Sequence, residues 1–484
     1  MSKLKILFIA SEMTPIAKVG GLGDVIGALP KALHAKGADV RVLLPRYQRI
    51  ELKGMKVAAK NVPVKFGSVD EKVTVYETIV DGIPVYAIDH DKYLSRGPIY
   101  FEKSAFVGTF TEMSRFLFFS RAAVAVLQKL RFRPDILHCH DWHTSMIIPL
   151  LSQEKTAHKP KTVLTIHNIA NQGVWSAKEI MRFLGLSGSE WESLAVRTRE
   201  KSLNIFQQGI LNADKITTVS PTYAKEVLTS QYGYGLEADM QQRARDLSGI
   251  LNGIDTDRFN PQTDPALVAR YDIRTVGNRE QNKKILLSKT TIRLSPHAPL
   301  FGFIGRLATP DQKGIELLFS VLDEYVKRGA GVVLLGSGDD IHEDMARAMH
   351  KKYPDNFFPV IGFDAEMAEL MYAGCDFMMV PSLFEPCGLV QMIAMRYGSI
   401  PLVRKTGGLA DSVQDFSCKP TACTGTGVVF RDFNQHDLCE AVSRACQLFQ
   451  QPKNFRAIQQ NAMKADFSWD KSAEAYLSLY RSLV

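Results

Sequence analysis

The sequence predicts an α/β protein built from two doubly wound units. Short, wholly apolar runs such as Ile6–Ala10 and Val332–Leu335 alternate with helix-period segments, the rhythm of buried parallel strands joined by crossover helices. That rhythm begins near residue 3 and restarts after about residue 295. The 484 residues are also several times what one hydrophobic core organises.

In chain order, Lys3–Ala10 reads as the first buried strand, and Leu22, Val25, Ile26, Leu29 and Leu33 mark a helix that Gly37 stops. Ala38–Leu44 reads as the next strand. A more irregular stretch follows, then a helix from about Thr111 to Leu130 and strands at Asp135–His138 and Thr162–Thr165. The second half offers strands at Leu300–Ile304, Gly331–Leu335, Asp376–Val380, Ile400–Val403 and Val428–Phe430. Gly20-Gly-Leu-Gly-Asp-Val25 and Gly407-Gly-Leu-Ala-Asp-Ser-Val413 echo one another, each placing paired glycines before a helix. Ligands of such sheets bind at the carboxyl ends of the strands, so two facing units would enclose one deep cleft.

Hydrophobic residues at 45% and charged residues at 23% suit a soluble globular chain and exclude a disordered one. The 59 Lys and Arg against 51 Asp and Glu give +8, too mild and too dispersed for a nucleic-acid partner but compatible with a small anionic ligand. Charge, Gly or Pro interrupts every apolar run before it reaches membrane-spanning length. Met1-Ser2-Lys3-Leu4-Lys5 leads straight into a strand without a secretory signal, and the expectation is a cytoplasmic protein with no membrane association. Seven cysteines without a CxxC pair lead us to expect buried thiols and neither a disulfide framework nor structural zinc.

Four clusters carry chemistry. Lys18-Val-Gly-Gly21 sits where a strand–loop–helix would hand backbone N–H groups to an anion, although it can also be a plain structural turn. It matches neither a dinucleotide fingerprint nor a P-loop. Arg306 and Lys313 follow the strand Leu300–Ile304 and suit a diphosphate, or else are ordinary surface charge. Glu385 follows the strand Asp376–Val380, where a carboxylate can take sugar hydroxyls or simply favour a helix start. His138-Cys-His-Asp-Trp-His143 and Thr165-Ile-His-Asn168 look more like sugar recognition, with Trp142 offering an apolar face, than like a metal cluster. Asp255-Thr-Asp257 has the DxD spacing of a divalent-metal motif but lies in a turn-rich connection, and no metal site is expected there.

Taken in order, Lys18-Val-Gly-Gly-Leu-Gly-Asp24, His140-Asp-Trp-His143, Thr165-Ile-His-Asn168, Leu251-Asn-Gly-Ile-Asp255, Glu385-Pro-Cys-Gly-Leu-Val-Gln391, Thr406-Gly-Gly-Leu409 and Phe467-Ser-Trp-Asp470 resemble the bacterial glycogen synthase and plastidial starch synthase family over nearly the whole chain. The resemblance implies a GT-B architecture of two Rossmann-like domains facing a deep interdomain cleft. Its expected boundaries are 1–247 on the acceptor side, 248–464 on the nucleotide-sugar side, and a last helix, 465–484, returning to the first domain. It implies transfer of glucose from ADP-glucose to the non-reducing end of an α-1,4-glucan such as glycogen, with retention, and with neither a metal nor another cofactor.

Carried over by position, Lys18 with Gly20 and Gly21, Arg306 and Lys313 resemble the groups on the diphosphate. Glu385 resembles the catalytic carboxylate, His167 a residue on the donor glucose near its 6-hydroxyl, and Asp141 an acid of the sugar site. Phe363 occupies an aromatic position associated with adenine. Asp24, Asn168, Asn252, Cys387, Gly388, Leu389, Thr406, Gly407 and Gly408 match further substrate-binding positions. Between Arg306 and Lys313 the chain carries two residues more than the family usually has, and Asp311 brings negative charge beside the phosphate position unless the loop bulges away. UDP-glucose or another acceptor, and a non-catalytic glucan binder, are the alternative readings. The four groups Lys18, Arg306, Lys313 and Glu385 together argue against a mere binder. The sequence carries no signal for oligomeric state.

Overall fold

The computed structural model describes residues 3–100, 111–155, 158–186, 201–309, 311–420 and 422–484. They form two compact units, Met1–Gly253 with Trp469–Val484, and Ile254–Ser468.

The first unit is built on a nine-stranded sheet. In spatial order its strands are Leu247–Gly249, Lys215–Thr218, Lys161–Ile166, Ile136–His140, Lys5–Ile9, Asp39–Pro45, Ile83–Asp89, Val69–Val80 and Lys56–Phe66. The strands from Leu247–Gly249 to Ile83–Asp89 run parallel, and the final two add an antiparallel edge. The parallel strands Lys5–Ile9 and Ile136–His140 are buried almost throughout because helices cover both faces, which is why they read as unbroken apolar runs. Helix Gly21–Ala35 buries Leu22, Val25, Ile26, Leu29 and Leu33, and Gly37 follows it at φ 96°, a left-handed stop open to glycine. Helix Glu112–Leu127 starts at Thr111, whose hydroxyl accepts the Ser114 N–H while the Ser114 hydroxyl accepts the Thr111 N–H, a reciprocal capping box. The last helix, Trp469–Arg481, packs Trp469, Ala473, Tyr476, Leu477 and Tyr480 into the same core as Ile26 and Leu29.

The irregular stretch after Leu44 is ordered as the antiparallel hairpin Lys56–Phe66 and Val69–Val80, turning at Gly67 (φ 64°). One face alternates inward through Val62, Val64, Phe66, Val73 and Val75, all buried.

The second unit carries a six-stranded, all-parallel sheet in the order Phe357–Ile361, Gly331–Gly336, Leu300–Ile304, Phe377–Val380, Ile400–Arg404 and Val428–Phe430. Strand order departs from chain order beside Leu300–Ile304, so the segments after Ile304 and Val380 emerge next to one another at the carboxyl ends. Those segments carry Arg306 and Glu385.

The cysteines correct the expectation of thiols alone. Cys418 and Cys423 are directly opposed across the small antiparallel pair Ser417–Lys419 and Ala422–Thr424, and they form a disulfide. Cys139, Cys375, Cys387 and Cys446 are buried thiols, and Cys439 is partly buried. Among the described residues no helix is long and apolar enough to cross a membrane.

Candidate active site

In the first unit, the segment after strand Lys5–Ile9 turns back under the glycine loop. Glu12, 2% exposed, accepts the N–H groups of Val19 (2.6 Å) and Gly20 (2.7 Å) on Oε2, and the Tyr100 hydroxyl on Oε1 (2.6 Å). The hydroxyls of Tyr100 and Ser11 lie 2.8 Å apart, and Tyr47 donates to the Ser11 carbonyl. The expectation that this loop hands its N–H groups to an anion is corrected in part, since two of them already hold a carboxylate of the chain itself. What faces outward is Lys18, whose Nζ lies 2.6 Å from Asp24 and whose side chain keeps about a third of its surface open. Behind it the helix begins at Gly21 with no side chain capping it among the described residues; the Gly23 N–H is on the Gly20 carbonyl, and the Gly21 and Leu22 N–H groups and the partial positive charge of the helix start remain.

Strand Ile136–His140 ends at Asp141, which leaves the sheet at φ 57°, ψ −177°, a strained conformation for a residue with a side chain. The Asp141 carboxylate accepts the backbone N–H of His167 (2.7 Å) and, more weakly, of Asn168 (3.4 Å), so it joins the ends of two adjacent strands. Burial pushes its carboxyl up to about 7 against the pull of those two N–H groups. Alternation places His138 and His140 on one face, with ring centroids 4.2 Å apart, and brings His140 Nδ1 within 3.0 Å of His167 Nε2. Burial keeps His138 and His140 well below their ordinary pKa and brings His143 and His167 to about 3, so all four rings are neutral at pH 7.

Trp142 is not an open sugar platform. It is buried, edge-on to Phe116, and a Cβ at Gly173 would lie 2.4 Å from its ring. His143 is likewise buried, against Phe116 and Tyr100. Asn252 is buried with its Oδ1 unsatisfied among the described residues.

In the second unit the loop after strand Leu300–Ile304 begins with Arg306, which is exposed and has no hydrogen bond or ion pair among the described residues. Pro310, in the inserted stretch, lies outside them. The Thr309 N–H donates to Asp339 (2.6 Å), and both oxygens of Asp311 accept N–H groups at the start of helix Ile315–Ser320, from Ile315 (2.8 Å) and Glu316 (2.9 Å). Asp311 therefore spends its charge on a helix start.

Lys313 Nζ lies 2.6 Å from Glu385 Oε2, which also accepts the Ser382 hydroxyl (3.0 Å). The Glu385 side chain is 7% exposed and that of Lys313 27%. Backbone fixes this pair. The Leu383 N–H donates to the Gln312 carbonyl, and Gly314 at φ 74° lies so close to Pro381 that a Cβ would sit 2.2 Å from its carbonyl oxygen. The Gly408 N–H donates to the Glu385 carbonyl (3.0 Å), and a Cβ on Gly408 would lie 2.2 Å from the Cys387 oxygen. Cys387 is buried, and Gly388 turns at φ 74° above Gln391, whose Nε2 donates to the carbonyls of Cys387 and Gly388. Leu389 leads into helix Val390–Arg396, and Thr406, buried, precedes helix Gly407–Ser412. Phe363, after the strand Phe357–Ile361, is 89% exposed.

Asp255 accepts the N–H groups of Asp257 (3.2 Å) and Arg258 (3.1 Å), which makes it the head of a local turn. No group of three or more His, Cys, Asp or Glu among the described residues could hold a metal ion. Glu12 and the pairing of His140 with His167 were not singled out by sequence reasoning. The signal for Glu12 was its place directly after a strand's carboxyl end, the same place that drew attention to Glu385.

A family model described as starch synthase catalytic domain matches residues 5–242, and one described as glycosyl transferases group 1 matches 298–447. Glycogen synthases are similar over full length: that of Desulforamulus reducens is 40% identical, covering 99% of both chains, and that of Lactobacillus acidophilus 38% identical, covering 99% of this chain and all of the relative. Among solved structures, the catalytic domain of starch synthase IV from Arabidopsis thaliana, bound to ADP and acarbose, superposes with a TM-score of 0.90 at 34% identity, covering 100% of this chain and 99% of that one. A sucrose-phosphate synthase from Thermosynechococcus elongatus shares the fold, with a TM-score of 0.61 at 17% identity over 99% of each chain. With two parallel-sheet units of this kind the fold is that of the GT-B glycosyltransferases. The likeness thus runs along the whole chain, and the protein belongs to the glycogen synthase and starch synthase family.

Proposed function

We propose that the chain elongates α-1,4-glucans, moving glucose from ADP-glucose to the non-reducing end with retention at the anomeric carbon. The observation that carries this reading is the Lys313–Glu385 pair, a cation and a largely buried carboxylate 2.6 Å apart at the carboxyl end of a parallel sheet, with exposed Arg306 nearby in sequence. In this reading Arg306 and Lys313 meet the donor's diphosphate. The phosphate oxygens then compete with Glu385 for Lys313, and the carboxylate, still held by Ser382, becomes free to face the sugar.

The bond from the anomeric carbon to the diphosphate oxygen breaks, the cations hold the departing charge, and Glu385 stabilises the positive charge on the sugar. The 4-hydroxyl oxygen of the glucan forms the new bond, and its proton leaves on the diphosphate. His167 contacts the donor glucose, Asp141 fixes the backbone that carries it, and Phe363 stacks on adenine. Lys18, with Asp24 and the helix start at Gly21, is a further anion-binding group. Residues 1–247 serve the acceptor and 248–464 the donor. The setting we propose is cytoplasmic, with no metal or other cofactor, because side-chain cations already neutralise the leaving group.

The test is incorporation of labelled glucose into glycogen from ADP-glucose and from UDP-glucose, each in excess chelator. Incorporation from ADP-glucose that persists in chelator supports the reading. Preference for UDP-glucose would move the assignment to another donor, and turnover restored only by a divalent ion and lost in Asp257→Ala would reinstate the Asp255–Asp257 motif.

A further inference from the structure

We propose that His140 is the positioning residue that fixes His167 in its Nδ1-protonated tautomer, so that His167 offers the sugar an N–H donor and not a lone pair. The inference rests on the proposed placement of His167 at the donor sugar.

A neutral imidazole has one proton and two nitrogens, and its tautomer follows from the partner of each. His140 Nδ1 and His167 Nε2 lie 3.0 Å apart, so one must donate and the other accept. The other nitrogen of His140, Nε2, is buried with no hydrogen-bond partner among the described residues. Were the proton on that nitrogen, a buried N–H would be left without an acceptor, an arrangement folded proteins almost never keep. With the proton on Nδ1 it is used, and only a lone pair goes unpaired. His140 therefore donates, His167 Nε2 accepts, and the single proton of His167 is placed on Nδ1. That nitrogen has no hydrogen bond among the described residues and is free to meet a ligand.

The donor ring cannot turn away. Phe8 stacks on His140 with centroids 5.3 Å apart and planes 16° from parallel, and His138 lies on it at 4.2 Å. His138 is pinned in turn, by the Tyr480 hydroxyl at Nδ1 (2.7 Å) and by Thr165 Oγ1 at Nε2 (2.6 Å), with Thr217 behind Thr165 (2.6 Å). The last helix thus supports His167 through two histidine rings. The backbone of His167 is held separately, by Asp141. Where a histidine's tautomer is fixed by a hydrogen-bond partner at a metal site, loss of that partner costs about 10-fold to 100-fold, and an effect of that size is expected here.

The test reads the tautomer directly in the ligand-free, full-length protein, by long-range proton–nitrogen correlation on ¹⁵N-histidine, with the His167 signals assigned by their absence in His167→Ala. The expected result is a protonated Nδ1 in the wild type, retained in His140→Asn, whose amide can donate from the position of Nδ1, and lost to the Nε2-protonated form in His140→Leu. In parallel, kcat of His140→Leu should fall about 10-fold to 100-fold with the donor KM changed by no more than a few-fold, and His140→Asn should recover most of it. A wild-type His167 protonated at Nε2 overturns the inference without need of any variant. So does a His140→Asn protein that folds, yet is as slow as His140→Leu. Full activity in His167→Ala would instead remove His167 from the proposed function, while the spectrum still decides the tautomer.

Discussion

The glycine pair occurs twice, and its two copies are held differently. In the first unit Gly20 leans on a side chain, the Glu12 carboxylate, which takes the N–H groups of Val19 and Gly20. In the second unit Gly408 is joined backbone to backbone, its N–H on the Glu385 carbonyl and its Cα against Cys387. A side-chain latch tolerates adjustment because its rotamers can follow a moving loop. A backbone contact leaving no room for a Cβ does not. The group each support positions matches: Lys18 is a cation about one-third open and paired with a partly open Asp24, whereas Glu385 is nearly buried and locked to Lys313 and Ser382. A group that only attracts charge can be mounted loosely, while one placed at the reacting bond must be held to within about 0.5 Å.

The contrast is broken most severely at Gly408. In Gly408→Ala the new methyl meets backbone oxygen at 2.2 Å, so the Glu385 segment must shift. Transfer activity should fall at least about 10²-fold, since roughly 1 Å of misplacement costs that much, with a loss of stability of about 1–3 kcal/mol from overpacking. Kinetics and denaturant melts check this, and a near-normal Gly408→Ala would show that the contact is not rigid.

At the latch, Glu12→Ala leaves two N–H groups and the Tyr100 hydroxyl without their acceptor. It should raise the donor KM about 10-fold while kcat changes less, and Glu12→Gln, which keeps an acceptor oxygen, should lie between Ala and the wild type. Equal effects on kcat and KM in Glu12→Ala would assign Glu12 to the chemistry.

Acid should separate the units by a smaller margin. His138, His140, His143 and His167 are neutral in the folded first unit but take protons near pH 6.5 once unfolded, so that unit loses stability as pH falls through 6.5, by up to about 1.4 kcal/mol per pH unit for each histidine. Asp141 and Glu112, both raised to about 7 by burial, work the other way, because they keep protons in the fold that unfolded carboxyls release down to about pH 4. Four against two leaves a net loss. In the second unit burial lowers the pKa of His342, but hydrogen bonds to Asp339 and Glu316 more than offset this, so its contribution is present below pH 6.5 and fades as pH rises. Hydrogen exchange at pH 7 and pH 5.5 should show protection falling first in the sheet around His138 and later in the sheet around Phe301. Uniform loss would contradict the assignment of neutral histidines.

The smallest effect is expected at Gly20. Its φ of −129° suits any residue and a Cβ would stand 3.7 Å from Glu12, so Gly20→Ala should keep activity within about three-fold. A large loss there would make the two glycine pairs equivalent after all.

The parallel strands were legible because burial on both faces writes them as continuous apolar runs, Ile6–Ala10 and Val332–Leu335 among them. The hairpin Lys56–Val80 was not, since on its first strand a regular alternation runs only from Val62 to Phe66, after register shifts between Val57 and Val62 that take in Asn61 at φ 55°. At the site, residues that stand directly after strands could be read from position alone. What could not be read is contact between neighbours that pairing creates, such as His140 beside His167 or Gly408 beneath Glu385, because register and strand order decide these and neither is local. Trp142 shows the converse: its type suggested an open sugar surface, but the Asp141 turn carries it into the core. Cys418 and Cys423 show the same dependence on register: they stand opposite one another across the pair Ser417–Lys419 and Ala422–Thr424, and that pairing brings the two sulfurs together.

Glu385→Ala is the variant on which the account turns, measured both as glucose incorporation from labelled ADP-glucose into glycogen and as ADP binding by calorimetry. The predicted result is a loss of transfer of about 10²-fold or more with ADP affinity within a few-fold of wild type, because the carboxylate acts at the sugar and Lys313, released from it, still meets the diphosphate. Transfer at the wild-type rate in Glu385→Ala would contradict the account.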